Sequence, residues 1–186
     1  MELKILKHFC SLHFYFIHLH QPLVDKQLKV YKLGIKERRL REKLRRKSDI
    51  IEAAETVIFD KGIQGATMSD IAKEAELGKA TLYGYYKSKD EILLEINERA
   101  HNRLAAAFQA VQDDALSGID QVRAIGYAYF KFAIDYPNYF KFIQLFESTS
   151  LTIGLDQVVQ IAMKIDGILA QSIKKGMNDG TIRDDL

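Results

Sequence analysis

Four side chains within a seven-residue stretch have the chemistry to read a nucleic-acid groove: Lys79, Thr81, Tyr83 and Tyr85. A lysine donates to guanine acceptors, and a threonine methyl, or the small Ala80, lies against a thymine methyl. Tyrosine hydroxyls reach phosphate oxygens, which positions a protein on DNA without reading its sequence. Leu82 and Tyr86 fall between them and are assigned to an inner, buried face. Gly84 is unusual here, because glycine inside a helix costs about 1 kcal/mol relative to alanine. Thr67 and Ser69 precede this stretch with two hydroxyls at the start of a helix, where exposed N–H groups attract phosphate. Lys89 follows it in the first turn of another helix. A cation opposes the helix dipole at that place, and a phosphate ligand there would account for it.

Local signals say how these side chains are held. Thr67 with Asp70 three residues later forms a reciprocal capping pattern, so a helix is expected over 68–75. Ile71, Ala72 and Ala75 give it a small apolar inner face. Leu77-Gly78 is expected to form the corner, glycine accepting the positive φ that a sharp turn often needs. A short helix over 79–85 follows, and Ser88, with Glu91 three residues on, caps the next. Upstream, Leu40, Leu44, Ile51, Ala54 and Ile58 recur at helical steps, and Gly62 is placed to stop that helix. The three short helices are thus expected at about 50–61, 68–75 and 79–85.

The ordered string from Ile50 to Leu94 resembles the DNA-binding domain of the TetR family of bacterial and archaeal transcriptional regulators. The match includes IIEAAETVIFDKG, then T-x-x-D-I-A, then G-K-A-T-L-Y-x-Y-Y-x-S-K-x-E-I-L. It covers a quarter of the chain. The order and spacing are far more specific than a bare helix-turn-helix. The resemblance implies an all-α fold: a three-helix DNA-binding head (36–94, motif 67–86) on a helical effector-binding and dimerisation body (95–186). It implies a double-stranded DNA operator as partner, a homodimer, and a small apolar or aromatic effector. Family members usually carry another helix or two after a segment such as GTIRDDL, which ends here at Leu186, so the usual dimerisation surface is in question.

Composition agrees with the all-α reading. Proline is scarce (2 of 186 residues) and glycine modest (11). The one cysteine, Cys10, rules out an internal disulfide framework and leans towards a reducing cytoplasm. The net charge of +2 hides an asymmetry: residues 29–47 hold ten Lys/Arg against two Glu, and residues 48–186 hold fourteen against twenty-one Asp/Glu. A basic block beside the motif reads as an electrostatic footprint for nucleic acid. The acidic remainder argues against general polyanion binding.

Residues 1–35 read as an extension, flexible or incidental to the fold. CSLHFYFIHLH lacks the small-residue cleavage site of a secretory signal and is too short to span a bilayer. His8, Cys10, His13, His18 and His20 match no standard zinc spacing.

In the body, a long helix is expected from Lys89 to about Ala115, with Ile92, Ile96, Ala100, Leu104, Phe108 and Val111 along one stripe. Asp120 is expected to cap the next helix, Pro137 to open another, and Asp156 to cap the last after a turn at 152–154. By resemblance, Tyr127, Phe130, Ile134, Tyr139, Phe142 and Phe146 line an effector pocket, although an aromatic stripe at helical spacing equally suits a filled core. No constellation supports catalysis, a metal or a cofactor: His101 is the only histidine outside the extension, and there is no Gly-rich phosphate loop. The expected function is sequence-specific binding to an inverted-repeat operator, repressing transcription until an effector releases it. Three further readings are open at this point: an effector-independent nucleoid- or division-linked DNA binder, a helical protein-interaction module, and a membrane-tethered regulator using residues 1–24. The expected location is the cytoplasm, at the nucleoid, with no membrane partner.

Overall fold

The computed structural model describes residues 2–147 and 155–184, with burial described from Gly34 on. The described residues are all-α. Among the described residues, seven helices run α1 (Glu2–Gly65), α2 (Met68–Glu74), α3 (Lys79–Tyr85), α4 (Lys89–Gln109), α5 (Gly118–Asp135), α6 (Pro137–Glu147) and α7 (Leu155–Asp179). The chain divides into two compact units, residues 1–48 and 49–186.

In the first unit the residues from Lys36 to Arg46 are exposed along α1. The expected apolar stripe fails there. Leu40 and Leu44 are 56% and 57% exposed, and among the residues of α1 whose burial is described, the apolar ones are buried from Ile50 onward. Periodicity alone cannot tell a stripe that meets a partner element from one that does not.

The second unit holds two cores. The first gathers Ile51, Ala54 and Ile58 of α1, Ile71 and Ala72 of α2, Leu82 of α3, Tyr86, and Ile92 and Ile96 of α4, together with Phe142 and Phe146 of α6. The second gathers Ala100, Leu104 and Phe108 of α4, Ile125 and Phe132 of α5, and Tyr139 and Ile143 of α6. Phe59 packs against both. Its ring lies edge-on to Tyr139 at 5.3 Å and to Phe142 at 6.3 Å, an arrangement in which a ring edge meets the face of its neighbour.

Glycine acts at two places where no other residue fits easily. Gly62 has φ 76°, ψ 166° and breaks the helical path of α1 one turn before its end, as its sequence position suggests. Gly118 opens α5 against α7 so closely that a Cβ on it would lie 2.0 Å from the Gly176 backbone nitrogen. The approach lets the far end of α7 cap α5: the Gly118 N–H donates to Asp179 at 2.7 Å and the Ile119 N–H to the Thr181 hydroxyl at 3.1 Å. These bonds satisfy N–H groups that a helix start leaves unpaired.

Three local expectations need correction. The positive φ at the α2–α3 corner belongs to Glu76 (φ 54°), while Gly78 is the N-cap of α3 at φ −65°. Glu76 is the left-handed residue of a Schellman end: Leu77 N–H bonds Ala72 C=O at 2.8 Å and Glu76 N–H bonds Lys73 C=O at 3.1 Å. Helix α4 stops at Gln109, because Gln121 pins the following turn, accepting from Asp113 N–H at 2.9 Å and donating to Val111 C=O at 2.8 Å. The cap of α5 is Ser117, with Asp120 its reciprocal partner. Asp156 lies within the first turn of α7, and the turn expected at 152–154 lies outside the described residues.

Candidate nucleic-acid interface

Helix α3 has only seven residues, so its orientation depends on its two inward side chains. Leu82 and Tyr86 are buried in the first core. The Tyr86 hydroxyl donates to the Glu95 carboxylate at 2.7 Å. Burial, and then that carboxylate, push the phenol far above its ordinary range, so it remains a neutral donor. At 100° per residue, anchoring 82 turns 80, 81, 83 and 84 away from the core, while 79 is left open as the first residue of the helix. Lys79, Ala80, Thr81 and Gly84 are accordingly exposed, and Tyr83 is 44% exposed. Tyr85 is half-buried and packs against the first core, which makes it the least available of the proposed contacts.

The supporting helix α2 is held by a full reciprocal cap. Thr67 N–H and hydroxyl both donate to one Asp70 carboxylate oxygen, at 3.0 and 2.6 Å, and Asp70 N–H donates back to the Thr67 hydroxyl oxygen at 3.2 Å. Lys61 of α1 donates to the other carboxylate oxygen at 2.7 Å. That ammonium, and then Thr67, hold the Asp70 carboxyl down at about 2. The Thr67 proton is thus committed to Asp70, and its part at a phosphate is reduced to the helix end that it caps. Ser69, exposed in the first turn, keeps its hydroxyl outward.

Lys89 has partners within the fold that the sequence did not show. Its ammonium donates to the carbonyls of Ile63 at 2.8 Å and Ala66 at 3.1 Å, more than twenty residues away in sequence. These carbonyls lie at and just beyond the end of α1, where helices leave acceptors unpaired. A lysine at the start of α4 is therefore explained by what it holds within the fold, and a phosphate is not needed to account for it. Ser88 caps α4 as expected, accepting from Glu91 N–H at 3.3 Å, while the Glu91 carboxylate takes the Lys87 N–H at 2.7 Å.

The six aromatic and aliphatic residues assigned to an effector pocket do not converge. Tyr139, Phe142 and Phe146 are core residues, spread over both clusters. Phe130 and Ile134 face outward, 69% and 78% exposed. Tyr139 borders one cleft, beside α1, and Tyr127 borders another as an exposed rim. That cleft, about 700 Å³, lies between α4 and α5, lined by Ala106, Ala107, Ala110 and Val111 on one side and Ala124, Ala128 and Phe132 on the other. Arg103, Lys131, Asp135 and Tyr136 border it as well. The sequence signal for it was the cluster of alanines, which leave space where bulky residues would fill it.

Among the described residues, no group of three His, Cys, Asp or Glu is placed to hold a metal ion, and no helix is long and apolar enough to cross a membrane. The histidines of residues 1–28 and Cys10 have side chains outside the described set.

The comparisons with known proteins fall on this same head. The family model for bacterial regulatory proteins, tetR family, matches residues 50–96. The transcriptional repressor KstR2 of Mycolicibacterium smegmatis is 27% identical over 86 residues, 46% of this chain and 42% of that protein. The chain spans less than half the length of the curated relatives it matches first. A tetR-family regulator from Shewanella sp. PV-4 superposes with a TM-score of 0.62 at 26% identity, covering 73% of this chain and 71% of its own. AibR, solved in complex with isovaleryl coenzyme A and operator DNA, superposes with a TM-score of 0.60 at 23% identity, covering 74% of this chain and 75% of its own. The matched proteins are transcriptional regulators, not enzymes. With the motif's outward face, its buried anchors and these likenesses in agreement, residues 50–96 match the DNA-binding head of the TetR family of bacterial regulatory proteins, and the described fold is similar to that of solved tetR-family regulators.

Proposed function

We propose that the chain is a sequence-specific DNA-binding repressor whose α3 enters the major groove of an operator. The observation that carries this reading is the division of α3: Leu82 and Tyr86 are buried, whereas Lys79, Ala80, Thr81 and Tyr83 are exposed. Lys79 and Thr81 are the base-reading candidates, and Tyr83 and Ser69 the phosphate contacts. The basic stretch 29–47 adds sequence-independent attraction that weakens as salt rises. As a homodimer the protein would present two such helices about 34–36 Å apart, which calls for an inverted-repeat operator. AibR's complex with a coenzyme A ester and DNA supports pairing an effector with an operator here as well. Such an effector acts only through unequal affinity for DNA-competent and incompetent forms. The site of action is the cytoplasm, at the nucleoid.

The test is selection of bound fragments from genomic DNA, followed by binding measurements on the selected site and on mismatched versions. Two-fold symmetric sites are expected. Lys79→Ala should weaken binding by about 1–3 kcal/mol and flatten the preference at one base position. No selected fragment, or an unchanged base preference in Lys79→Ala, would refute the assignment.

A further inference from the structure

The α4–α5 cleft has a charge pattern that selects among ligands. Its walls are mainly methyl groups, from five alanines on the two helices, with Val111 and Phe132. A volume of about 700 Å³ lies within the range of small-molecule sites, which are mostly apolar with a few convergent polar groups. Three charged side chains border it: Arg103, Lys131 and Asp135. Lys131 and Asp135 neutralise each other in an ion pair of 2.8 Å, and the carboxylate raises the lysine's pKa. Arg103 has no carboxylate within ion-pair distance among the described residues. Its guanidinium instead lies 5.5 Å from the Tyr136 ring centre and 5.1 Å from that of Tyr139, held by cation–π attraction at one end of the cleft. The uncompensated charge of the cleft is thus a single planar, bidentate donor at the end of an apolar wall. From Arg103 to the C-cap Ala110 that wall runs about 10 Å at the helical rise.

We infer that the cleft binds an apolar, medium-length monocarboxylic acid, its carboxylate on Arg103 and its hydrocarbon along the alanines of α4 and α5. This rests on the effector reading above and names the class of effector. An arginine fork matches a carboxylate with two parallel hydrogen bonds, and an alcohol of the same length would leave that fork unmatched. The site also points to a route of response. Tyr139, under Arg103, has its hydroxyl pKa raised first by burial and then by the Glu55 carboxylate of α1, which its hydroxyl faces. A carboxylate that draws Arg103 off the ring therefore acts one side chain away from the helix that bears the DNA-binding head.

The test is calorimetric titration of the full chain with decanoate and, separately, decanol. Decanoate is expected to bind roughly tenfold tighter or better, as a charge-assisted hydrogen bond implies. Arg103→Gln should bring decanoate to the affinity of decanol, Lys131→Gln should leave the preference in place, and Ala110→Trp should abolish both by filling the cleft. Equal affinities in the unaltered protein, no binding of either, or a preference lost in Lys131→Gln and kept in Arg103→Gln would overturn the inference. Fragment selection on ligand-free protein is read separately. DNA bound without decanoate preference sinks only the ligand class, whereas decanoate bound through Arg103 with no DNA retained sinks the regulator reading and leaves the site standing.

Discussion

Replacing Lys89 by methionine separates two roles that the sequence cannot distinguish. Methionine keeps an unbranched apolar stem of similar reach, so the packing of the half-buried side chain survives. What disappears is the pair of bonds to Ile63 C=O at 2.8 Å and Ala66 C=O at 3.1 Å. A hydrogen bond from a charged donor contributes about 1.5–3 kcal/mol, and the two share one partly solvated ammonium. Removing a cation from the start of α4 returns about 0.3–1 kcal/mol. The expected net loss is therefore about 1–3 kcal/mol, a fall in melting temperature of roughly 3–9 °C for a unit of this size. Thermal and urea denaturation measure it, and DNA binding is followed against salt on the same variant. A phosphate contact would appear as a salt slope shallower by about one. A variant that melts like the parent but shows that shallower slope would refute the capping account and restore Lys89 to the interface.

Three further outcomes follow from the geometry. Gly118→Ala places a methyl 2.0 Å from the Gly176 backbone nitrogen, so α5 and α7 must separate; a loss of about 2 kcal/mol or more is expected by denaturation, as for overpacked cores. Gly84→Ala meets nothing within 4 Å and should raise stability by about 0.5–1 kcal/mol through helix propensity, so any accompanying loss of operator affinity measures how closely that backbone approaches DNA. Asp70, held down at about 2 from an ordinary 3.8, stabilises the head fully above pH 4, and that contribution is lost as pH falls from about 4 to 2; acid unfolding of Asp70→Asn compared with the parent should lack that component.

The parts of the head that could be read from the sequence are those whose physics is local. Thr67 and Asp70 are three residues apart, and Leu82 and Tyr86 four, so one turn of helix brings each pair to its cap or its face whatever the rest of the chain does. Where the deciding partner is remote, the sequence was silent or misleading. Lys89 is explained by carbonyls 23 and 26 residues earlier. The aromatic residues of α5 and α6 share a helical period, yet Phe130 and Ile134 face outward while Phe142 and Phe146 are buried with the head. Period gives a stripe its direction on its own helix; which neighbour meets it is decided by helix packing. The corner of the motif shows a milder version. Glycine at 78 suggested the positive φ, but the Schellman geometry of α2 needs its left-handed residue two positions earlier, at Glu76, and leaves Gly78 to begin α3.

Two features concern how the body would act on the head. Helix α6 contributes Phe142 and Phe146 to the head's core and Tyr139 to the body's, with Phe59 of α1 in edge contact with both Tyr139 and Phe142. Movement of α6 therefore cannot leave α1 undisturbed, because close-packed rings transmit displacement. Beside this seam are polar groups that an apolar core would not need. Glu55 of α1 is buried, joined to Arg99 of α4 at 3.3 Å, and faces the Tyr139 hydroxyl of α6. Asn97 of α4 is fully buried with neither side-chain polar atom bonded. Buried polar groups left unpaired cost about 1–3 kcal/mol each. On the effector reading proposed above, a ligand would act on the head through this seam. A ligand can move such an equilibrium only by its difference in affinity between the two forms, and the smaller the gap between the forms, the smaller the difference required.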